Sequence, residues 1–363
     1  MVAPLLVWLG ISMGMTLSNP AYGSSLGARL AEWGRQNHAG GIVNWIENEW
    51  YSHHPPPVGG KPPPGAIVRP KQAPKAVAAG PDHLPPPGPL AALASPPIAG
   101  EGQWSPAGRT VDGIPTVYTT TLRPDAIHTS EVAGVAWMDT KLLRATLYSG
   151  SQIPGPGSYS HTAPVTPADA RSLVAAFNAG FLMSQSNGGY YTDGRTVFPL
   201  VPGAASFVVY RDGTATVAQW GRDAALTPDV VSVRQNLALL VDQGQPVPGL
   251  NAADTTRWGF TLGNRVYVWR SGVGVTADGA LVYVAGPGLN ITDLANLMVD
   301  AGAVRAMELD INTDWVNFAV YAPPTGQAAS PANGTTLLPG MVGGTSRYFE
   351  PWWSRDFITM SLR

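Results

Sequence analysis

Ionisable chemistry is concentrated in the stretch Met307-Glu308-Leu309-Asp310-Ile311-Asn312-Thr313-Asp314-Trp315. Read as a strand, its period of two places Glu308, Asp310, Asn312 and Asp314 on one face, with Leu309 and Ile311 on the other. Three carboxylates on one edge repel each other, which raises at least one pKa and costs stability; such crowding is expected where acid-base chemistry or a cation makes use of it. The competing reading is a strand that runs into a solvated loop, where Asp and Asn merely make turns. Asp310-x-Asn312-x-Asp314 also imitates the opening of a calcium loop. Its sixth position is Trp315 and its twelfth is Tyr321, where an EF-hand needs Gly and Glu. No cofactor is therefore expected, with a looser calcium or magnesium site built from the same carboxylates as the alternative.

Two further residues stand where chemistry is placed. Asn178 follows the apolar run 174–177 and precedes Ala179-Gly180-Phe181, so its amide projects where the chain turns. Arg270 ends Val266-Tyr267-Val268-Trp269 just before Ser271-Gly272-Val273-Gly274, and an arginine there can fork onto a phosphate. A turn cap for Asn178 and a surface ion pair for Arg270 are the structural alternatives. Three formal motif matches fail on context. Gly10-Ile11-Ser12-Met13-Gly14 fits a nucleophile elbow but lies in an apolar leader. The glycines from Gly272 run into Asp278-Gly279 and another strand, with no helix to receive a pyrophosphate. His53-His54 sits among prolines with no further ligand beside it.

The elements that must position these residues read as an α+β fold, a mixed β-sheet core with few helices. Strand patterns cover 116–122, 132–137, 142–148, 206–210 and 237–241, and Asp212-Gly213, Gly263-Asn264 and Asp278-Gly279 are hairpin turn signals. Thr166-Pro167 opens a helix that leads through Ala170 and Leu173. A second helix runs from Thr292 to Gly302, burying Leu294, Leu297, Met298 and Ala301. It lies between strand-like runs at 281–285 and 304–311, which predicts a β-α-β unit with parallel strands near residues 281–311. Ligand groups gather at strand C-terminal ends in such units, which points back to Asp310.

The chain has 363 residues, of which only 13% are charged, and its net charge is -2. That balance provides no basic footprint for nucleic acid. It has no Cys, which excludes thiolate nucleophiles, disulfides and Cys-ligated metals. Residues 1–23 read as a signal peptide or membrane anchor, being apolar, free of charge and followed by the small residues around Tyr22. Residues 24–52 read as a broken amphipathic helical segment, 53–99 as a proline-rich extended linker with three Pro-Pro-Pro triplets, and 100–363 as the folded domain. This organisation predicts a secreted protein, or one held on the extracellular face of the membrane, with the cell envelope as partner.

In their order and spacing these segments resemble the phosphodiester glycosidase family over roughly 174–318. Phe177-Asn178-Ala179-Gly180-Phe181 looks like the family's Asn-Gly/Ala-Gly-Phe-Phe segment. Arg270-Ser271-Gly272-Val273-Gly274-Val275 looks like its Arg-Thr-Ala-Ile-Gly stretch, and the run from Thr292 to Asp310 looks like the approach to its Leu-Asp-Gly-Gly-Gly-Ser turn. Here Ile311-Asn312-Thr313-Asp314 replaces those glycines and the serine, as in a variant bacterial exported subgroup. The resemblance implies a hydrolase acting on a sugar-1-phosphodiester of a cell-surface glycan. In that scheme Arg270 holds the phosphate, Asp310 or Glu308 activates water or traps the oxocarbenium-like centre, and Asn178, Asn312 and Asp314 bind the sugar. A non-catalytic glycan or wall-binding module of the same fold is the alternative.

Overall fold

The computed structural model describes residues 2–19, 22, 26–36, 56–70, 80, 82–251, 254–259 and 266–363. Three sheets build the body, and every ladder between their strands is antiparallel. The first has the order β1 (Ser105–Val111), β2 (Ile114–Leu122), β3 (Ala133–Met138), β14 (Leu281–Leu289), β13 (Val268–Thr276), β15 (Ala303–Glu308), β11 (Leu239–Asp242) and β12 (Gln245–Pro246). The second runs β7 (Arg195–Phe198), β6 (Tyr190–Thr192), β10 (Val230–Gln235), β8 (Ala205–Tyr210) and β9 (Ala215–Gln219). The third runs β17 (Gly334–Thr336), β16 (Phe318–Tyr321), β5 (Leu173–Asn178), β18 (Phe357–Leu362) and β4 (Leu143–Tyr148). One apolar core joins all three: Val273, Tyr283 and Met307 from the first sheet meet Phe207 and Val217 from the second and Phe177 and Ile358 from the third.

Helices are few, in keeping with the α+β expectation: α1 (Val2–Ser18), α2 (Leu26–Gln36), α3 (Thr255–Trp258) and α4 (Ile291–Asp300). α4 begins at a capping box in which the Asn290 side chain accepts from the Asp293 amide, and Gly302 follows it at φ +90°. Its Leu294, Leu297 and Met298 pack on the first sheet. β14, α4 and β15 form the expected β-α-β unit. The antiparallel β13 lies between the two strands, so they are parallel without touching. Gly272 of β13 admits the helix: a Cβ there would come within 2.8 Å of Met298 Cε.

Several expectations are corrected. The Thr166-Pro167 signal makes only a single 3-10 turn, Asp169–Arg171, because the alanine-rich run after it is claimed by β5, buried at every position between β16 and β18. β15 ends at Glu308 rather than Ile311. The described part of the proline-rich segment forms no helix, yet it is not a free spacer. Leu84 is buried against α4 and the first sheet, its amide donates to Asp139 Oδ2 at 2.8 Å, and Arg123 reaches the carbonyls of Ala94 and Pro96 at 2.8 and 2.7 Å. The Gly263-Asn264 hairpin and residues 37–52 of the amphipathic segment lie outside the described residues.

α1 is apolar and carries no acidic or basic residue in its end turns. It packs on α2, where Trp33 Nε1 donates to Ser12 Oγ at 3.1 Å. Among the described residues no helix is long and apolar enough to cross a membrane.

Burial of Leu84 makes residues 82–100 part of the cooperative unit. Leu84→Ala is expected to lower stability by about 2–5 kcal/mol in a denaturant titration; a change near zero would return that segment to the status of a spacer.

Candidate functional site

Asn178 closes β5 and is 2% exposed. Its Nδ2 donates to the Ala179 carbonyl and to Ser271 Oγ, both at 3.0 Å. Its Oδ1 accepts from Tyr283 OH at 2.8 Å and from the Asn317 amide at 3.1 Å. Ser271 Oγ in turn donates to the Asp310 carbonyl at 2.7 Å, and the Ser271 amide does so at 3.1 Å. A buried chain of hydrogen bonds therefore links the end of β5, the start of β13 and the residue just beyond β15. Asn178 and Asp310 come together as the sequence predicts, with Ser271 as the unforeseen link. Both amide hydrogens of Asn178 and its oxygen are engaged, so it holds the site in place rather than offering a free amide.

Arg270 is not part of that meeting, although the phosphate-holding role expected of it would need it beside Asp310. Neighbouring residues on a strand point to opposite faces, so Ser271 turns toward the inter-sheet core and Arg270 toward the face covered by α4. There its Nη1 donates to Glu308 Oε1 at 2.6 Å, its Nε to the Leu289 carbonyl at 3.1 Å and its Nη2 to the Val266 carbonyl at 3.4 Å. Glu308 pairs with Gly272 across the ladder and shares that face. Both side chains are about 1% exposed or less. Desolvation pushes Glu308 up to about 7 while Arg270 opposes the rise, and Glu308 Oε2 has no hydrogen-bond partner.

Asp310 does not continue the strand. Its Oδ1 accepts from the Asn312 amide at 3.0 Å, and Asn312 Oδ1 accepts from the Asp314 amide at 2.8 Å. The expected single face of Glu308, Asp310, Asn312 and Asp314 is thus replaced by two successive Asx turns. Among the described residues no group of three or more His, Asp or Glu is arranged to hold a metal ion. The Asp310 carboxyl is 4% exposed, and desolvation raises it to about 6; Arg355 pulls it down and Asp356 pushes it up.

Those last two residues belong to a cluster that sequence reasoning missed. Asp356 Oδ2 accepts from Arg234 Nε at 2.6 Å, and Arg234 also donates to the carbonyls of Gln235 and Phe181. Arg347 donates to the Trp315 carbonyl at 2.8 Å and the Asp314 carbonyl at 2.6 Å, bracing the turn after Asp310. Its guanidinium lies 4.2 Å from the Trp353 ring centroid, and that of Arg355 lies 4.3 Å from Trp315. The two indoles are 5.4 Å apart, giving a stack of cation, ring, ring and cation. Gly150 lets the loop before β5 press on this segment: Ser151 N donates to the Trp353 carbonyl at 2.8 Å, and a Cβ at Gly150 would overlap the carbonyl of Ser354.

Four buried polar atoms around this cluster lack a hydrogen-bond partner: Asn317 Oδ1, Arg347 Nε, Trp353 Nε1 and Asp356 Oδ1. Buried polar groups are almost always satisfied, so several orphans in one place set this cluster apart from most of the interior. The signal available in the sequence was Trp352-Trp353-Ser354-Arg355-Asp356, two indoles and an ion pair's worth of charge in a chain otherwise poor in charge.

Two measurements follow. Asp310 is raised in the folded state, so it favours folding below its ordinary value of 3.8 and loses that contribution as pH climbs through about 6. Asp310→Asn should therefore gain stability relative to the parent between pH 4 and pH 6 and hold a constant difference above, read by urea titration; a pH-independent difference would contradict the burial argument. Arg270→Ala strands Glu308 and should cost about 3–5 kcal/mol, while the paired change Arg270→Met with Glu308→Leu should recover most of it.

The stretch that holds Asn178, Ser271 and Asp310 has relatives. Residues 171–310 match the family model described as phosphodiester glycosidase. The comparison with curated proteins finds no match. Among solved structures the chain is similar to the zebrafish N-acetylglucosamine-1-phosphodiester alpha-N-acetylglucosaminidase catalytic domain auto-inhibited by pro-peptide, at 16% identity over 71% of this chain and 87% of that one, with a TM-score of 0.43. It is also similar to a hypothetical protein from Synechocystis, at 15% identity over 71% of this chain and 64% of that one, with a TM-score of 0.36. The match over 171–310 takes in Asn178, Ser271 and Asp310, the residues whose hydrogen bonds join the ends of β5 and β13 to the turn after β15.

Proposed function

We propose that this protein hydrolyses the glycosidic bond of a sugar-1-phosphodiester, with Asp310 as the reacting carboxylate and Arg355 as the cation for the phosphate. The observation that supports this most is Asp310 itself: a desolvated carboxyl at the edge of the family segment, facing Arg355 and bordered by unsatisfied polar atoms. A phosphate leaves more easily than a sugar alkoxide, so strong general-acid assistance is not required. What the reaction needs is positive charge on the departing phosphate and an anionic group at the anomeric centre, to attack it or to draw a proton from water. At about 6, Asp310 is ionised at neutral pH yet basic enough to accept a proton.

The other residues divide by what they touch. Asp356, held by Arg234, fixes the negative field that keeps Asp310 from ionising too readily. Trp315 and Trp353 offer indole faces and Nε1 donors suited to a sugar ring. Asn312 and Asp314, on the turn after Asp310, are the candidates for sugar hydroxyls. Arg270 and Glu308 take a positioning role on the helix side of the sheet, fixing the ends of β13 and β15 from which Ser271 and Asp310 emerge. The apolar leader supports action outside the cytoplasm, on a glycan of the cell envelope.

Release of reducing sugar from methyl phosphodiesters of glucose-1-phosphate, mannose-1-phosphate and N-acetylglucosamine-1-phosphate tests the reading. Asp310→Asn is expected to lose about 10²–10⁴-fold in kcat/KM and Arg355→Ala about 10²-fold. The pH profile should rise through about 6 and then level. The Arg270→Met, Glu308→Leu pair should stay within about tenfold of the parent, since neither touches substrate. Turnover that survives Asp310→Asn would sink the mechanism, and no turnover on any of the three would favour a glycan-binding module.

A further inference from the structure

A second cleft, of about 600 Å³, opens beside β4 between the second and third sheets, away from Asp310. Arg144 and Tyr148 of β4, His161 and Asp169 from the chain leading into β5, and Tyr191 and Asp193 around the β6 turn form its walls. Hydroxyl side chains make up much of its floor, among them Thr146, Ser172, Ser232, Thr359 and Ser361. Charges of both signs are interspersed: Arg144 and Arg211 stand against Asp169, Asp193 and Asp212. Neither a polyanion nor a polycation is favoured by such a lining. A molecule rich in hydroxyls is, because each hydroxyl both donates and accepts, as Ser, Thr and Tyr do in return.

Behind the cleft lies a buried aromatic cluster. The Tyr148 ring lies 5.1 Å from His161 and 4.9 Å from Phe357, and Phe357 lies 4.8 Å from Tyr348. Tyr148, Tyr348, Phe357, Trp315 and Trp353 belong to one buried cluster. Some lining groups are already engaged: Asp169 accepts from Thr166 Oγ1 at 2.6 Å, and Arg211 Nη2 donates to the Pro228 carbonyl at 2.7 Å. Arg144 and His161 are exposed and make no side-chain hydrogen bond among the described residues.

We infer that this cleft binds a neutral saccharide segment, with Arg144, His161 and Asp169 contacting its hydroxyls and the half-buried Tyr191 ring taking an apolar face. The inference rests on the proposed glycan substrate for the identity of the polymer, while the presence of a saccharide site rests on the cleft. Calorimetric titration of the Asp310→Asn protein with isomaltohexaose, mannohexaose and chitohexaose tests it without consuming the probe. At least one hexasaccharide should bind, and the Arg144→Ala, His161→Ala double variant should weaken it tenfold or more at an unchanged melting temperature. If the double variant melts lower, His161→Ala alone carries the same comparison. Arg355→Ala should keep the affinity within threefold. Binding of none of the three, or binding equal in parent and double variant, overturns the proposal. Binding in this cleft by a protein that cleaves no sugar-1-phosphodiester would uphold the saccharide site and remove the hydrolase reading.

Discussion

The alternation of β13 is the constraint on which the rest depends. Arg270 and Ser271 are adjacent, and a strand must send them to opposite faces. One joins a buried ion pair beneath α4; the other becomes the hydrogen-bonded hub between Asn178 and Asp310. A slip of one residue would exchange the two, leaving a guanidinium in the inter-sheet core and a hydroxyl where Glu308 needs a cation. The glycines that follow, Gly272 and Gly274, serve the same register by keeping the helix side of β13 bare where Met298 and Ala303 approach.

A chain with so few charges places an unusual share of them out of water. Arg234, Arg347, Arg355, Asp310 and Asp356 lie within one neighbourhood, each no more than 7% exposed. Desolvation alone would make such a cluster costly. Partnership offsets part of that cost, through the Arg234 to Asp356 bond and the carbonyls that Arg347 caps, and the indole faces take two of the cations. What is left over is the set of unsatisfied atoms. This separates the cluster from the ion pair of Arg123 and Glu101 at 2.8 Å, whose carboxylate oxygens are all engaged.

Much of the scaffold was legible because its signals are local. Turn dipeptides marked the β8 to β9 and β13 to β14 hairpins, and apolar periodicity with a following glycine marked α4. Asn178 and Asp310 were legible as polar residues at strand ends within a family-like order of segments. Arg270 was assigned to the wrong company because spacing along a chain does not reveal which face of a sheet a residue takes. Arg234 and Asp356 meet across 122 residues of sequence without any motif to join them. The alanines of β5 suit a helix by propensity, but burial between two strands overrides that preference. The prolines of 82–97 carried no sign that Leu84 and Ala94 would be buried against the body.

β18 is the last strand in sequence, yet it lies inside the third sheet, paired with β5 on one side and β4 on the other. During synthesis, then, β4 and β5 emerge long before the strand that separates them, and each waits with a ladder edge unmet for some two hundred residues. The cluster of Trp353, Arg355 and Asp356, which lies just ahead of β18, stays unassembled through the same interval. A nascent chain of this design cannot close its third sheet until its final segment arrives.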